Sequence, residues 1–411
     1  MPQISQRGLA MPPSPIRKLV PYAEAAKARG VHVYHLNIGQ PDLPTPQPFW
    51  DAVRSYCDTP VLEYSHSAGL ISYRRALGTY YQQRHGLHIQ ADEILVTTGG
   101  SEALRFALAA CLNPGDEIII PEPFYANYNG FALENGVKVV PITTRVEDNF
   151  DLPDIRQFEA LITPRTKAIL LCNPSNPTGK LYNPQDLEKL RALVLAHDLF
   201  LISDEAYQEF AYDGESFVSA LSLPGLEQQV VVVDTVSKRW SACGARIGAL
   251  ITRNKAVYDA TIRMAQARLS PPTLGQVGSE ALCRLPDSYY DEVRREYVAR
   301  RNTVLSALQQ MPGVTCPHVS GAFYVMPRLP IDDSDTFCRW LLEEFEQEKS
   351  TVMLAPGTGF YATPGLGKQE VRIAYVLERP QLEQAMRVLA LALQQYPGRT
   401  QQAHLADRAA Q

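Results

Sequence analysis

At 411 residues, with 45% hydrophobic and 20% charged residues, the chain has the make-up of a soluble globular protein and exceeds what one hydrophobic core normally serves. Its formal charge of −5 is modest and its basic residues are scattered, which gives no electrostatic footprint for nucleic acid. No segment approaches the roughly 18 consecutive apolar residues of a membrane span, so small-molecule chemistry is expected instead.

The N-terminal sequence Met-Pro-Gln-Ile-Ser-Gln-Arg lacks the charged-then-apolar pattern and cleavage site of a signal peptide, so export is not expected. Residues 1–48 are proline-rich, with one helical pattern at 16–29 and a β-type run at 31–38, and read as an arm plus a peripheral element. Short β-branched runs then recur at 93–98, 117–120, 137–142, 167–172, 199–203, 230–234 and 247–252. Most are separated by helical stretches such as 184–198, where Leu187, Leu190, Leu193 and Val194 keep the spacing of one helix face. The alternation predicts an α/β fold, a mostly parallel central sheet with helices on both faces.

After Pro286 a charged helical pattern at 289–310 leads to a run at 322–326, a helix-like stretch at 334–348, short runs at 352–354 and 371–374, and a final helix at 380–395. These make a second, smaller α/β unit. The tail 398–411 is polar and expected to be disordered. Seven cysteines with no Cys-x-x-Cys pair point to reduced thiols and a cytoplasmic location. Eight dispersed histidines without ligand spacing give no metal site.

In parallel α/β sheets ligands bind beyond the carboxyl ends of the strands, so the residues that follow each run belong together. After 93–98 come Gly99, Gly100, Ser101 and Glu102, opening a helix at 103–111. Free helix N–H groups and a hydroxyl suit a phosphate there, although a plain tight turn needs the same glycines. After 117–120, Tyr125 offers a ring for stacking or for core packing. After 167–172, two Asn-Pro steps make a rigid turn that holds the Asn176 amide.

After 199–203 come Asp204, a carboxylate at an apolar strand end that needs a partner, and Tyr207 three residues on. After 230–234 come Ser237 and Lys238, with Arg246 eight residues beyond the lysine. A lysine at a buried strand end loses hydration, its pKa falls, and its neutral amine attacks carbonyls; a nearby cation pushes the same way. A solvated basic turn has the same composition. Taken together, a carbonyl-reactive lysine, an acid for a pyridinium, donors for a phenolate oxygen, a stacking ring and a phosphate cradle are what pyridoxal 5'-phosphate requires.

The ordered set Asn-Pro-Ser-Asn-Pro-Thr-Gly (173–179), Asp-Glu-Ala-Tyr (204–207), Ser-Lys (237–238) and Gly-Ala-Arg-Ile-Gly (244–248) resembles the class I and II aminotransferases of the aspartate aminotransferase superfamily, from about residue 12 to 395. These are fold-type-I pyridoxal phosphate enzymes. The resemblance implies that Lys238 carries the cofactor covalently and moves the substrate proton, that Asp204 pairs with the ring nitrogen, that Asn176 and Tyr207 bond the ring oxygen, and that Tyr125 stacks on the ring. It implies a phosphate site from the Gly100, Ser101 and Glu102 amides with Ser237 and Arg246. Tyr64 would reach the partner subunit's phosphate in a homodimer with shared active sites. Arg372 would grip the substrate α-carboxylate, assisted by Gly39 and Asn176.

The implied reaction moves an amino group between an L-amino acid and a 2-oxo acid, aspartate or glutamate with 2-oxoglutarate or oxaloacetate. Ser101 stands where related bacterial enzymes often carry a lysine that reads a distal carboxylate, and Arg17 in the arm is the candidate replacement; a solvated helix residue is the other reading of Arg17. Aromatic or other neutral amino acids, or a pyridoxal phosphate lyase on the same scaffold, are the alternatives. The expected division is an arm at 1–15, a small domain from 16–50 and 287–397, a large cofactor domain at 51–286 and the tail.

Overall fold

The computed structural model describes residues 2–400, so residues 401–411 of the polar tail lie outside the described residues. In chain order the strands are β1 (His32–His35), β2 (Ile94–Thr97), β3 (Glu117–Glu122), β4 (Lys138–Thr143), β5 (Thr166–Cys172), β6 (Phe200–Asp204), β7 (Val230–Thr235), β8 (Gly248–Ile251), β9 (Tyr324–Val325), β10 (Ser350–Met353), β11 (Ala355–Pro356) and β12 (Val371–Ala374). All seven β-branched runs between residues 93 and 252 become strands of one sheet, in the order β2-β8-β7-β6-β5-β3-β4.

The sheet is mostly parallel, as the alternation predicts, and β8 runs antiparallel to both β2 and β7. The exception has a local cause. Between β7 and β8 the chain forms only a four-residue helix, Val236–Arg239, and a 3-10 turn, Cys243–Ala245, so it returns beside β7 without a full crossover helix.

Successive strand residues point to opposite faces and feed two apolar cores. Leu95, Ile118, Leu170, Ile202, Val233 and Leu250 pack on one face with Ala103, Leu104, Ala107 and Leu108 of helix Gly100–Cys111. Ile94, Ile119, Ile169, Leu201, Val232 and Ile251 pack on the other with Leu187, Leu190, Leu193 and Val194 of helix Pro184–His197. That helix starts at a capping box in which Asn183 Oδ1 accepts from the Asp186 amide (2.9 Å) and the Asp186 carboxylate from the Asn183 amide (3.3 Å).

Two expected helices are shorter than their patterns. The 16–29 pattern yields helix Val20–Ala28, because Pro21 lacks an N–H and fits only in a first turn. The 334–348 pattern yields helix Ser334–Glu343. Continuing it would place Glu344, Glu346 and Glu348 at the carboxyl end, where the helix dipole disfavours negative charge. The arm also holds an unanticipated short helix, Gln6–Ala10, capped by Ser5 and without a buried residue to give it a periodic signature.

Beyond the large sheet, β1 pairs in parallel with β10, and β11, β12 and β9 form an antiparallel set. The 31–38 segment is thus sewn to the C-terminal part of the chain, with the Leu36 amide donating to Met353 O (3.0 Å) and the Ala374 amide to Leu36 O (2.8 Å). Among the described residues no helix is long and apolar enough to cross a membrane. The parallel register sets Cys172 opposite Asp204, and the carboxyl ends of β5, β6 and β7 therefore open on one edge.

Candidate active site

A cavity of about 750 Å³ occupies that edge, closed from the other side by residues of the arm, the 37–40 segment, β9 and β12. Lys238 projects into it from helix Val236–Arg239, whose N-cap Thr235 accepts from the Ser237 amide (3.2 Å) and pairs with Ser237 Oγ (2.8 Å). Lys238 Nζ donates to Gly39 O at 2.7 Å and lies 4.0 Å from Cys243 Sγ. Burial lowers the pKa of the amine, and Arg372 and Arg246 push it the same way against Cys243 and Asp204. The result is an amine closer to its nucleophilic, neutral form.

Asp204 ends β6, is 7% exposed and lines the same cavity. Its hydrogen-bond partners are neutral: Tyr128 Oη donates at 2.7 Å and the Ala206 amide at 3.2 Å. Burial raises its pKa, opposed by those two hydrogen bonds and by Lys238. A buried acid without a cation bonded to it suits a ligand that brings its own positive charge.

Arg372, on β12, is 1% exposed and lies between the rings of Tyr324 (4.5 Å) and Phe360 (4.9 Å). Its guanidinium donates to Asn176 Oδ1 (2.9 Å) and Asn37 O (2.6 Å), both neutral, while its Nε has no partner among the described residues. A buried guanidinium paired only with neutral oxygens suits an incoming carboxylate. Because Asn176 Oδ1 serves Arg372, its Nδ2 is the group left to donate to a ligand.

Gly99 is the N-cap of helix Gly100–Cys111, with φ 77°. A Cβ at this position would sit 2.5 Å from Arg246 Nη2, so the guanidinium closes directly on the helix start. Gly100, Ser101, Ser237 and Arg246 all line the cavity there. A helix N-terminus, two hydroxyls and a guanidinium form an anion cradle. The donor set therefore fits pyridoxal 5'-phosphate at three points: an acid for the ring nitrogen, an amine for the aldehyde and a cradle for the phosphate.

The remaining expected residues divide. Tyr125, Tyr207, Gly39 and Arg17 line the cavity. The Tyr125 hydroxyl accepts from Asn127 Nδ2 (2.8 Å), and its ring meets Tyr128 edge-on at 5.5 Å. Glu102 does not line the cavity. The helix begins three residues earlier than its pattern suggested, so the Glu102 amide donates to Gly99 O (3.2 Å), and the carboxylate accepts from the Thr98 amide (2.8 Å) and pairs with Arg268 (3.2 Å). Tyr64 is also outside the cavity and is 80% exposed on this chain.

Sequence reading did not single out Tyr128, the donor to Asp204, or Tyr324, whose hydroxyl lies 2.8 Å from that of Tyr207. Asn37 and Cys243 were likewise unassigned, although Asn37 stands two residues before Gly39, Cys243 directly precedes the Gly-Ala-Arg-Ile-Gly run, and both line the cavity. An aromatic three residues after Tyr125 and the Gly-Ala-Phe-Tyr run at 321–324 were the only available signals.

The family model described as aminotransferase class I and II matches residues 31–389. The aspartate aminotransferase of Bacillus subtilis is 31% identical over 392 residues, covering 93% of this chain and 97% of that protein. Aromatic-amino-acid aminotransferase 2 of Thermococcus litoralis is 30% identical, with 93% and 96% covered. Among solved structures, the aspartate aminotransferase of Thermus thermophilus with maleate superposes with a TM-score of 0.87 at 30% identity, over 96% of this chain and 100% of that one.

Proposed function

The chain belongs to the class I and II aminotransferases, and we propose that within this family it transfers an amino group between aspartate or glutamate and 2-oxoglutarate or oxaloacetate, with pyridoxal 5'-phosphate as resident cofactor. The observation that carries the reading is one cavity holding an amine of lowered pKa, Lys238, a buried acid bonded only to neutral groups, Asp204, and a buried guanidinium without a carboxylate, Arg372.

When bound, the cofactor supplies an aldehyde that condenses with amines and a ring that accepts the electron pair left at the substrate Cα. Asp204 would hold a proton on the ring nitrogen, and its burial favours that charge pairing over solvation. Asn176 Nδ2 and Tyr207 Oη would donate to the ring oxygen, and Tyr125 would lie against the ring. Gly100, Ser101, Ser237 and Arg246 would hold the phosphate. Arg372 would bind the α-carboxylate, with the 37–39 backbone beside it, and so set the Cα–H bond toward Lys238. Lys238 Nζ would then take that proton and return it as general acid.

Arg17 is a third guanidinium lining this cavity besides Arg246 and Arg372, at its arm side, and supports recognition of a side-chain carboxylate in place of the lysine replaced by Ser101. Ile16, Val20 and Ile38 line the same region and favour, as a second reading, tolerance of neutral side chains. Rates measured for single amino acids with 2-oxoglutarate test the choice. Aspartate and glutamate should exceed alanine and phenylalanine in kcat/KM by about tenfold or more; the reverse order removes the acidic-substrate reading and leaves the transaminase.

A homodimer completes the proposal. Tyr64 follows Val61 and Leu62, which are 59% and 61% exposed, and this apolar strip is suited to cover by a second subunit. The seven free cysteines support a reducing, cytoplasmic setting. The pairing of β1 with β10 supports a small domain built from 16–50 and 287–397 beside a large one at 51–286.

A further inference from the structure

We propose that Tyr324 is a positioning residue that donates its hydroxyl proton to Tyr207, so that the Tyr207 proton is left pointing into the cavity for the ligand. The inference rests on the cofactor reading above and adds to it the direction of one buried hydrogen bond.

The two phenol oxygens are 2.8 Å apart in a buried setting, with rings edge-on at 5.5 Å. Each phenol has one proton to give. If Tyr207 gave its proton to Tyr324, it would have none for a ring oxygen in the cavity. The direction of this bond therefore decides whether Tyr207 acts as donor or only as acceptor toward the ligand.

Three features make Tyr324 the donor. The Arg372 guanidinium lies 4.5 Å over the Tyr324 ring and draws charge from its oxygen. Burial raises both phenols, and at Tyr324 the chief opposing influence is the Arg372 guanidinium over its ring. The groups facing Tyr324 that carry or take up charge are Arg372, Tyr207, Tyr125 and Cys172, and Arg372 is the cation among them.

The third feature is that the Tyr324 hydroxyl is fixed in place from two sides. On one, Tyr324 pairs with Ala374 across the β9–β12 ladder, two residues beyond Arg372. On the other, the backbone of Gly39 presses on it: a Cβ at position 39 would stand 1.7 Å from the phenol oxygen. Tyr324 thus links β9, the carboxylate-binding β12 and the 37–39 segment to one atom of Tyr207.

The test compares wild type, Tyr324→Phe, Tyr207→Phe and the double variant, each loaded with pyridoxal 5'-phosphate. The readout is the pH midpoint at which the visible band of the lysine–cofactor link changes. A ring oxygen deprived of a donor holds its charge less well and retains the neighbouring proton to higher pH. Tyr324→Phe should therefore raise the midpoint by roughly half a pH unit to one unit, Tyr207→Phe should raise it at least as much, and the double variant should match Tyr207→Phe alone.

A Tyr324→Phe midpoint equal to wild type, or shifts that add in the double variant, overturns the inference and leaves the cofactor reading intact. A wild type that shows no visible band with added cofactor overturns both.

Discussion

Lys238 Nζ and Gly39 O are joined by a 2.7 Å hydrogen bond although 199 residues separate them in sequence. The segment that receives the lysine also supplies Asn37 O, which accepts from Arg372 Nη2 at 2.6 Å. One short piece of backbone therefore spaces the amine from the guanidinium. In the proposed reaction that spacing sets a carboxylate and a Cα–H bond relative to the base.

Gly39→Ala should disturb both partners. Its Cβ cannot stand 1.7 Å from the Tyr324 hydroxyl, so the 37–39 backbone or Tyr324 must shift. We expect a stability loss of about 1–3 kcal/mol in denaturant unfolding, typical of an overpacked interior, together with a fall in kcat. A variant with wild-type turnover would show that the spacing is not needed.

Arg372→Lys keeps a positive charge but loses the planar fork held by Asn176 and Asn37. The loss in kcat/KM should correspond to roughly 2–5 kcal/mol for every amino acid tested, because all share the α-carboxylate. Cofactor binding, followed by the visible band, should persist. A loss confined to acidic substrates would instead assign Arg372 to the side-chain carboxylate.

Arg17→Gln should separate substrate classes. Aspartate and glutamate should lose about tenfold in kcat/KM, the worth of one charge-assisted contact, while alanine and phenylalanine stay within error of wild type. Equal effects on both classes would place Arg17 outside substrate recognition.

Glu205, next to Asp204, is fully buried, and burial pushes its carboxyl up to about 8 against the hydrogen bonds from Ser219, the Ala220 amide and Ser203. A group whose folded pKa is raised contributes stability that is complete below its unfolded value and is lost as pH rises through the folded one. Wild-type stability should therefore decline between about pH 4.5 and pH 8, by at most about 1.4 kcal/mol per pH unit from this group. Glu205→Gln cannot ionise and should flatten that decline in chemical unfolding at several pH values. Parallel curves for the two proteins would show that Glu205 stays charged in the fold.

The large sheet was legible because strands buried on both faces read as continuous β-branched runs, and the order of residues after those runs pointed to one edge. Helix ends were less so. Pro21 and the glutamates after Glu343 act on the first and last turns and leave the apolar period in between unchanged. In the cavity, the residues that escaped notice owe their places to contacts between distant segments. Tyr128 reaches Asp204 and Tyr324 reaches Tyr207, and neither pairing has a local pattern. Glu102 shows the converse: a motif position whose amide is taken up by the helix it opens.

Transamination through Lys238 is tested by the absorption spectrum of the purified protein with added pyridoxal 5'-phosphate. A visible band should appear that aspartate or glutamate abolishes and 2-oxoglutarate restores. Lys238→Ala should take up no covalent cofactor on borohydride reduction and should lose about 10²–10⁴-fold in turnover, as expected for a missing general base. Absence of the band in wild type, or a band that no amino acid changes, would contradict transamination through Lys238.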